Sequence, residues 1–263
     1  MPDGERAKFA DPLVTSKGEA RAVVLLHALE TLWFNTGTLC NITCAHCYIE
    51  SSPSNDRLAY LSLSDVQPYL DEIECGRLPA KLIGFTGGEP FMNRDIIAML
   101  EETLSRGFEV LMLTNAMRPM MKCAEPLLAL RQRYGDRLCL RVSLDHYDGA
   151  MHELVRGKRS WRPAIEGFKW LSDNGFHIHA AARSCWNEPD AKMRAGFAAL
   201  FAREGIRIDP HMLSRLSGDF AQRMLQFEAE AEGLAGRAFN IGSPKQVGEI
   251  LFDEMKLNGG AQT

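Results

Sequence analysis

The sequence predicts an α/β fold: an open, partial (β/α)6 barrel with a helical C-terminal appendage. Short runs rich in Val, Ile, Leu and Phe alternate with amphipathic stretches. Their repeat of roughly 30 residues is that of βαβ units on a buried parallel sheet. The intervening stretches open on a polar cap or proline and close on glycine, as helices do. The alternation supplies six strands after an N-terminal β segment at 22–27, fewer than the eight of a closed barrel.

Residues 1–21 read as a polar lead-in without the basic start and apolar stretch of a secretory signal. The expected strands lie within 31–37, 81–88, 109–115, 138–145, 176–184 and 206–210. Ser64 is the expected cap of the first helix, with Gly76 after it; Asn93 caps the second, with Gly107 after it. Pro163 and Pro189 fall in the first turns of two later helices that end before Gly175 and Gly205. After residue 205 the alternation stops. Residues 214–234 read as one helix, and a second starts with Ser243 as N-cap, Pro244 at N1 and Gln246 closing a capping box. Three segments follow: a lead-in over 1–21, a core over 22–205 and a helical tail over 206–263.

Of the residues, 46% are apolar and 24% charged, and the net charge is −4. No global basic field invites nucleic acid or an anionic membrane, and no apolar run is long enough to span a bilayer. A cytoplasmic protein with no membrane or nucleic-acid partner is expected. Of seven cysteines, Cys40, Cys44 and Cys47 cluster as C-x3-C-x2-C. In a reducing compartment that pattern points to metal or redox chemistry. Cys75, Cys123, Cys139 and Cys185 are scattered and read as small buried apolar residues. His177 and His179 share one strand face, a pattern of ligands or, more commonly, of packing and pocket lining.

Three clustered thiols suit two kinds of centre. A structural zinc site needs a closed shell of four ligands, for which His46 is the nearby candidate. A [4Fe-4S] cluster held by three thiolates leaves one iron open to a ligand. The loop follows the first strand, so it stands at the carboxyl ends of the parallel strands, where α/β folds place their active sites.

These residues resemble the radical S-adenosylmethionine (SAM) enzymes over roughly residues 22–205. The thiol triad is followed by an aromatic residue, Tyr48; "TGGEP" at 86–90 follows the second strand; and "SLD" at 143–145 precedes "HELVRG" at 152–157. The resemblance implies that Cys40, Cys44 and Cys47 hold three irons of a [4Fe-4S] cluster, and that the fourth iron chelates SAM beside Tyr48. Gly87, Gly88 and Glu89 would receive the methionine ammonium, Ser143 and Asp145 the ribose hydroxyls, and Arg156 the SAM carboxylate. Reductive cleavage would then give a 5′-deoxyadenosyl radical that abstracts hydrogen from an unidentified substrate. The electron would come from a donor such as a flavodoxin or ferredoxin. No second cysteine-rich region follows, so no auxiliary cluster is expected in this chain.

The tail carries a second resemblance. "FNIGSPKQ" and "ILFDEM" are similar to the thumb region of bacterial family A DNA polymerases. The catalytic carboxylates of that family lie beyond the matching region, so the resemblance implies no polymerase activity. From residue 213 onward there are seven acidic and five basic residues, which does not favour phosphate binding. A natural fusion and a chimeric reading frame both account for the tail. A metal-binding remnant without turnover and a DNA-binding tail are the alternative readings of the chain as a whole.

Overall fold

The computed structural model describes residues 11–21, 28–58, 60–183, 188–207, 229–239 and 243–256. The chain divides into two compact units, Met1–Arg207 and Ile208–Thr263. Among the described residues the first unit carries five strands: β1 (Thr31–Asn35), β2 (Leu82–Thr86), β3 (Glu109–Thr114), β4 (Leu138–Ser143) and β5 (His177–Ala181). They form one parallel sheet in the order β1-β2-β3-β4-β5. Each neighbour in space is also the neighbour in sequence. With right-handed crossovers, that order places the connecting helices on a single face.

Register explains how this face is buried. Phe34, Phe85, Met112, Leu140 and Ile178 pair in a row across all five strands, and all five are buried. The helices α1 (Leu63–Cys75), α2 (Ile96–Ser105), α4 (Ala124–Tyr134) and α6 (Trp161–Asp173) contribute Leu70, Met99, Leu127 and Phe168 to the core. The short helices α3 (Arg118–Lys122) and α5 (Gly149–Arg156) follow β3 and β4, and α7 (Asp190–Glu204) follows β5. The alternate residues form a second row, Trp33, Gly84, Leu111, Cys139 and His177, on the opposite face. Among the described residues that face carries Asn35, Thr86, Arg141, Ser143, His177 and His179.

Helix ends differ from expectation in detail. The first helix is capped by Ser62, two residues before the expected Ser64, because Asp65 returns a hydrogen bond to Ser62 and completes a capping box. Asn93 does not cap α2, a place taken by Asp95. Its amide instead donates to Thr36 O and Leu61 O, tying the thiol loop to the β2 exit. Gly107, Gly175 and Gly205 have positive φ, whereas Gly76 stays right-handed and Arg77 makes the left-handed turn at φ 49°. Pro163 lies in the first turn of α6, and Pro189 is the N-cap of α7. Of the expected sixth strand, Ile206 and Arg207 are not extended into the sheet, and 208–210 lie outside the described residues. So do the β segment at 22–27 and most of the helix at 214–234, of which residues 229–234 are described and helical.

In the second unit the helix α8 (Pro244–Gly248) continues into a π-helical stretch, Glu249–Glu254. Ser243 Oγ accepts the Gln246 N–H at 3.4 Å, as its expected N-cap role requires.

Candidate functional site

The loop after β1 is closed on itself. Leu39 bridges Ser52, and the Cys40 amide donates to Ser52 O at 3.1 Å. Cys40, Cys44 and Cys47 lie between these two feet. All three thiols line one cavity together with Tyr48, Thr86, Gly87 and Gly88 from the first half of the sheet. Leu113, Thr114, Asn115, Ser143, Arg156 and Arg183 complete its wall. The cavity therefore stands at the carboxyl ends of β2, β3 and β4.

Gly87 and Gly88 are present because the thiol loop passes against them. A Cβ on Gly88 would lie 2.2 Å from Leu39 O, and one on Gly87 would lie 2.7 Å from Gly37 O at a φ of 142°. The approach is held by two hydrogen bonds, Gly88 N–H to Gly37 O at 2.9 Å and Glu89 N–H to Leu39 O at 3.0 Å. The glycine pair thus serves close backbone contact rather than a simple tight turn.

Glu89 is buried and does not line the cavity. Its carboxylate accepts from Phe91 N–H, Thr114 Oγ and Asn115 N–H, at 3.3, 2.8 and 2.8 Å. Burial pushes its carboxyl up to about 7, against the pull of these three donors. Its place is that of a clamp between the exits of β2 and β3.

Asp145 is equally buried and also does not line the cavity. It accepts from Arg156 Nε at 2.8 Å and pairs with Arg183 Nε at 3.2 Å. Its backbone N–H donates to His152 Nδ1 at 3.3 Å. The carboxylate expected at the ribose therefore holds two arginines, and those arginines face the cavity. Ser143, Arg156 and the exposed Tyr48 line the cavity.

Burial pushes the Cys40 thiol up to about 12 and raises that of Cys44, where Arg156 opposes the effect. A bound cation removes such protons outright. Donors to sulfur are in place: Ser51 N–H to Cys47 Sγ at 3.3 Å and Asn115 Nδ2 to Cys40 Sγ at 3.9 Å. Three thiols on one cavity wall suit a [4Fe-4S] cluster that keeps one iron open to a ligand.

Asn115 and Arg183 were not singled out from the sequence. Both lie at or just past strand ends, which is the signal that would have found them.

The model of the Radical SAM superfamily matches residues 34–182. The chain belongs to this superfamily. Among its radical SAM relatives, the subtilosin biosynthesis protein AlbA of Bacillus subtilis is 29% identical over 170 residues, which are 64% of this chain and 35% of that protein. The mycofactocin maturase MftC of Mycolicibacterium smegmatis is 28% identical over 169 residues, 64% of this chain and 41% of that one. The chain thus spans about two fifths or less of the length of these relatives. The structure of Streptococcus suis SuiB bound to S-adenosylmethionine superposes with a TM-score of 0.54 at 17% identity, over 76% of this chain and 48% of that one. A short C-terminal segment matches DNA polymerase I of Rhizobium leguminosarum at 56% identity over 59 residues, which are 22% of this chain and 6% of the polymerase. Among the described residues no helix is long and apolar enough to cross a membrane.

Proposed function

We propose that residues 31–183 form a SAM-cleaving site in which Cys40, Cys44 and Cys47 hold a [4Fe-4S] cluster and SAM lies beside it. The observation that carries this reading is one cavity wall that gathers all three thiols, the Gly87–Gly88 pair, Ser143 and Arg156. When bound, the cluster and SAM supply reductive cleavage to a 5′-deoxyadenosyl radical, which takes a hydrogen atom from the substrate.

The protein's own residues bind and orient. The backbone at Gly87 and Gly88 lines the cavity without a side chain of its own, suited to the methionine ammonium through its carbonyls. Arg156 and Arg183 place two cations on the wall, where they offset thiolate charge and receive a carboxylate. Asp145 fixes both guanidinium groups from behind. Ser143 offers a hydroxyl at the β4 exit for the ribose, and Tyr48 lines the cavity beside the thiols. A flavodoxin- or ferredoxin-type donor supplies the electron. A peptide is the substrate class we favour, supported by the maturase among the relatives and by the SuiB structure bound to precursor peptide SuiA.

The test is anaerobic reconstitution of the full chain followed by SAM and dithionite, with 5′-deoxyadenosine read by chromatography. About four irons and four sulfides per chain are expected, together with 5′-deoxyadenosine formation that Cys44→Ala abolishes. An unchanged iron content and unchanged product in Cys44→Ala would overturn the ligand assignment.

A further inference from the structure

We propose that Cys139, His177 and His179 form a second, separate metal site for a single borderline-soft divalent cation of the zinc type. The site lies on the sheet face opposite the helices and owes nothing to the thiol loop. It stands whether or not the loop carries a cluster.

The sheet itself assembles the ligands. Cys139 pairs with His177, and the next alternate pair is Arg141 with His179. In-register parallel partners point to the same face, so the three side chains converge without help from a loop. One ligand atom from each lies within 4.8 Å of the others. Cys139 Sγ is 3.6 Å from His179 Nδ1. A tetrahedral zinc ion with ordinary bond lengths separates a sulfur and a nitrogen ligand by about 3.6 Å. Sites built on strands hold their geometry better than sites built on loops.

A carbonyl is in place to orient one of the histidines. His177 Nδ1 lies 3.2 Å from the carbonyl oxygen of Asp136. A carbonyl can only accept, so Nδ1 carries the proton and Nε2 keeps its lone pair. This is the arrangement by which ligating histidines are oriented in metal sites. His177 Nε2 is buried without a hydrogen-bond partner, and so is His179 Nε2. Buried polar atoms are ordinarily satisfied. An S–H hydrogen bond from Cys139 to His179 explains the 3.6 Å contact but leaves both Nε2 atoms unmet. A cation meets the lone pair that the His177 tautomer leaves bare.

Charge is offset only in part within the group. Arg141 stands on the same face, paired with His179, and opposes a bare cation. The Cys139 thiolate offsets it. Binding converts the Cys139 thiol to a metal-bound thiolate and releases one proton to solvent, with no change of oxidation state. Three protein ligands leave a fourth position for water or a substrate donor. The same sheet face carries Leu113, the strand partner of Arg141, and Ser143, both in the cavity wall.

Cobalt(II) is the probe. The full chain, with its thiol loop first loaded by reconstitution, is titrated anaerobically with Co2+. Uptake of one Co2+ per chain is expected, with tetrahedral d–d bands and the charge-transfer absorption of a single thiolate, displaced by Zn2+. Cys139→Ser should remove the charge-transfer band. His177→Gln and His179→Gln should each weaken binding at least about ten-fold. A chain with Cys40, Cys44 and Cys47 replaced by Ala should give the same titration, so failure of the loop to take a cluster is read separately. Circular dichroism identifies any variant that misfolds, in which case the two glutamine variants decide. Absence of a single-thiolate cobalt spectrum in both the loaded and the loop-substituted chain overturns the proposal. So does binding that Cys139→Ser and both glutamine variants leave unchanged.

Discussion

The exits of β2 and β4 solve the same problem with different partners. Each places one carboxylate just past its strand, Glu89 and Asp145, and each carboxylate is 1% exposed. Glu89 is held by neutral donors, two backbone N–H groups and a threonine hydroxyl. Asp145 is held by two guanidinium groups. Burial raises the carboxyl of Glu89, since neutral donors offset only part of the desolvation. At Asp145 the compensating charges are built in. A buried carboxylate beside the cavity can thus be structural in one place and a scaffold for cations in the other, although both belong to short motifs.

That difference can be broken from the Asp145 side with the largest effect. Asp145→Ala leaves Arg156 and Arg183 without their anion, and Arg156 is the more buried of the two. A loss of about 4 kcal/mol in unfolding free energy is expected, read from urea denaturation. A loss below about 1 kcal/mol would mean that solvent, not Asp145, balances the two cations.

A second test acts through the histidine under the same strand exit. His152 accepts the Asp145 N–H and packs edge-on against Trp161. Burial, helped by Arg156, lowers it from 6.5 to about 4. The folded state thus resists a proton that the unfolded chain accepts, so this histidine's contribution to stability is complete above pH 6.5 and falls as pH falls toward 4. Moving from pH 7.5 to 5 should cost the wild type about 2 kcal/mol more than His152→Asn, because the raised carboxyl of Glu89 titrates in the same window in both proteins. A wild-type pH dependence equal to that of the variant would refute the assignment.

The smallest effect belongs to Glu89→Gln. The substitution keeps the shape and one acceptor oxygen but turns an amide group toward donors, at a cost of about 1 kcal/mol. If Glu89 is a clamp, SAM affinity should change little when binding is measured by equilibrium dialysis on the reconstituted chain. A ten-fold or greater loss of affinity without loss of stability would assign its carboxylate to the cofactor after all.

The strands were legible because buried parallel strands are near-continuous apolar runs, and five expected runs contain β1 to β5. The thiol triad and the "TGGEP" turn were legible as addresses. The direction in which Glu89 and Asp145 point was not, because it depends on Thr114, Asn115 and Arg183, which are 25 to 38 residues away in sequence. The same distance hid the Cys139 group. Cys139 reads as a small apolar residue, and His177 and His179 read as packing, until the β4–β5 register sets them side by side. Cys75 departs from its expected burial and is exposed, and Cys185 lies outside the described residues.

The bridge between Leu39 and Ser52 divides the β1–α1 connection into stretches with opposite tolerance for change in length. Residues 36–39 lie against Gly87, Gly88 and Glu89 through two backbone hydrogen bonds. An insertion there would carry the loop's first foot off its contact. Beyond Ser52 the exposed residues 53 and 54 make no such contact with the β2 exit. There, doubling the length of a flexible segment costs only about 0.6 kcal/mol in closure entropy. Chain length can therefore drift at residues 53 and 54 at little cost, while Leu58 and Leu61 are tied to Thr38 and Asn93 and the spacing from the end of β1 to the first thiol is held by the backbone contacts at Gly88.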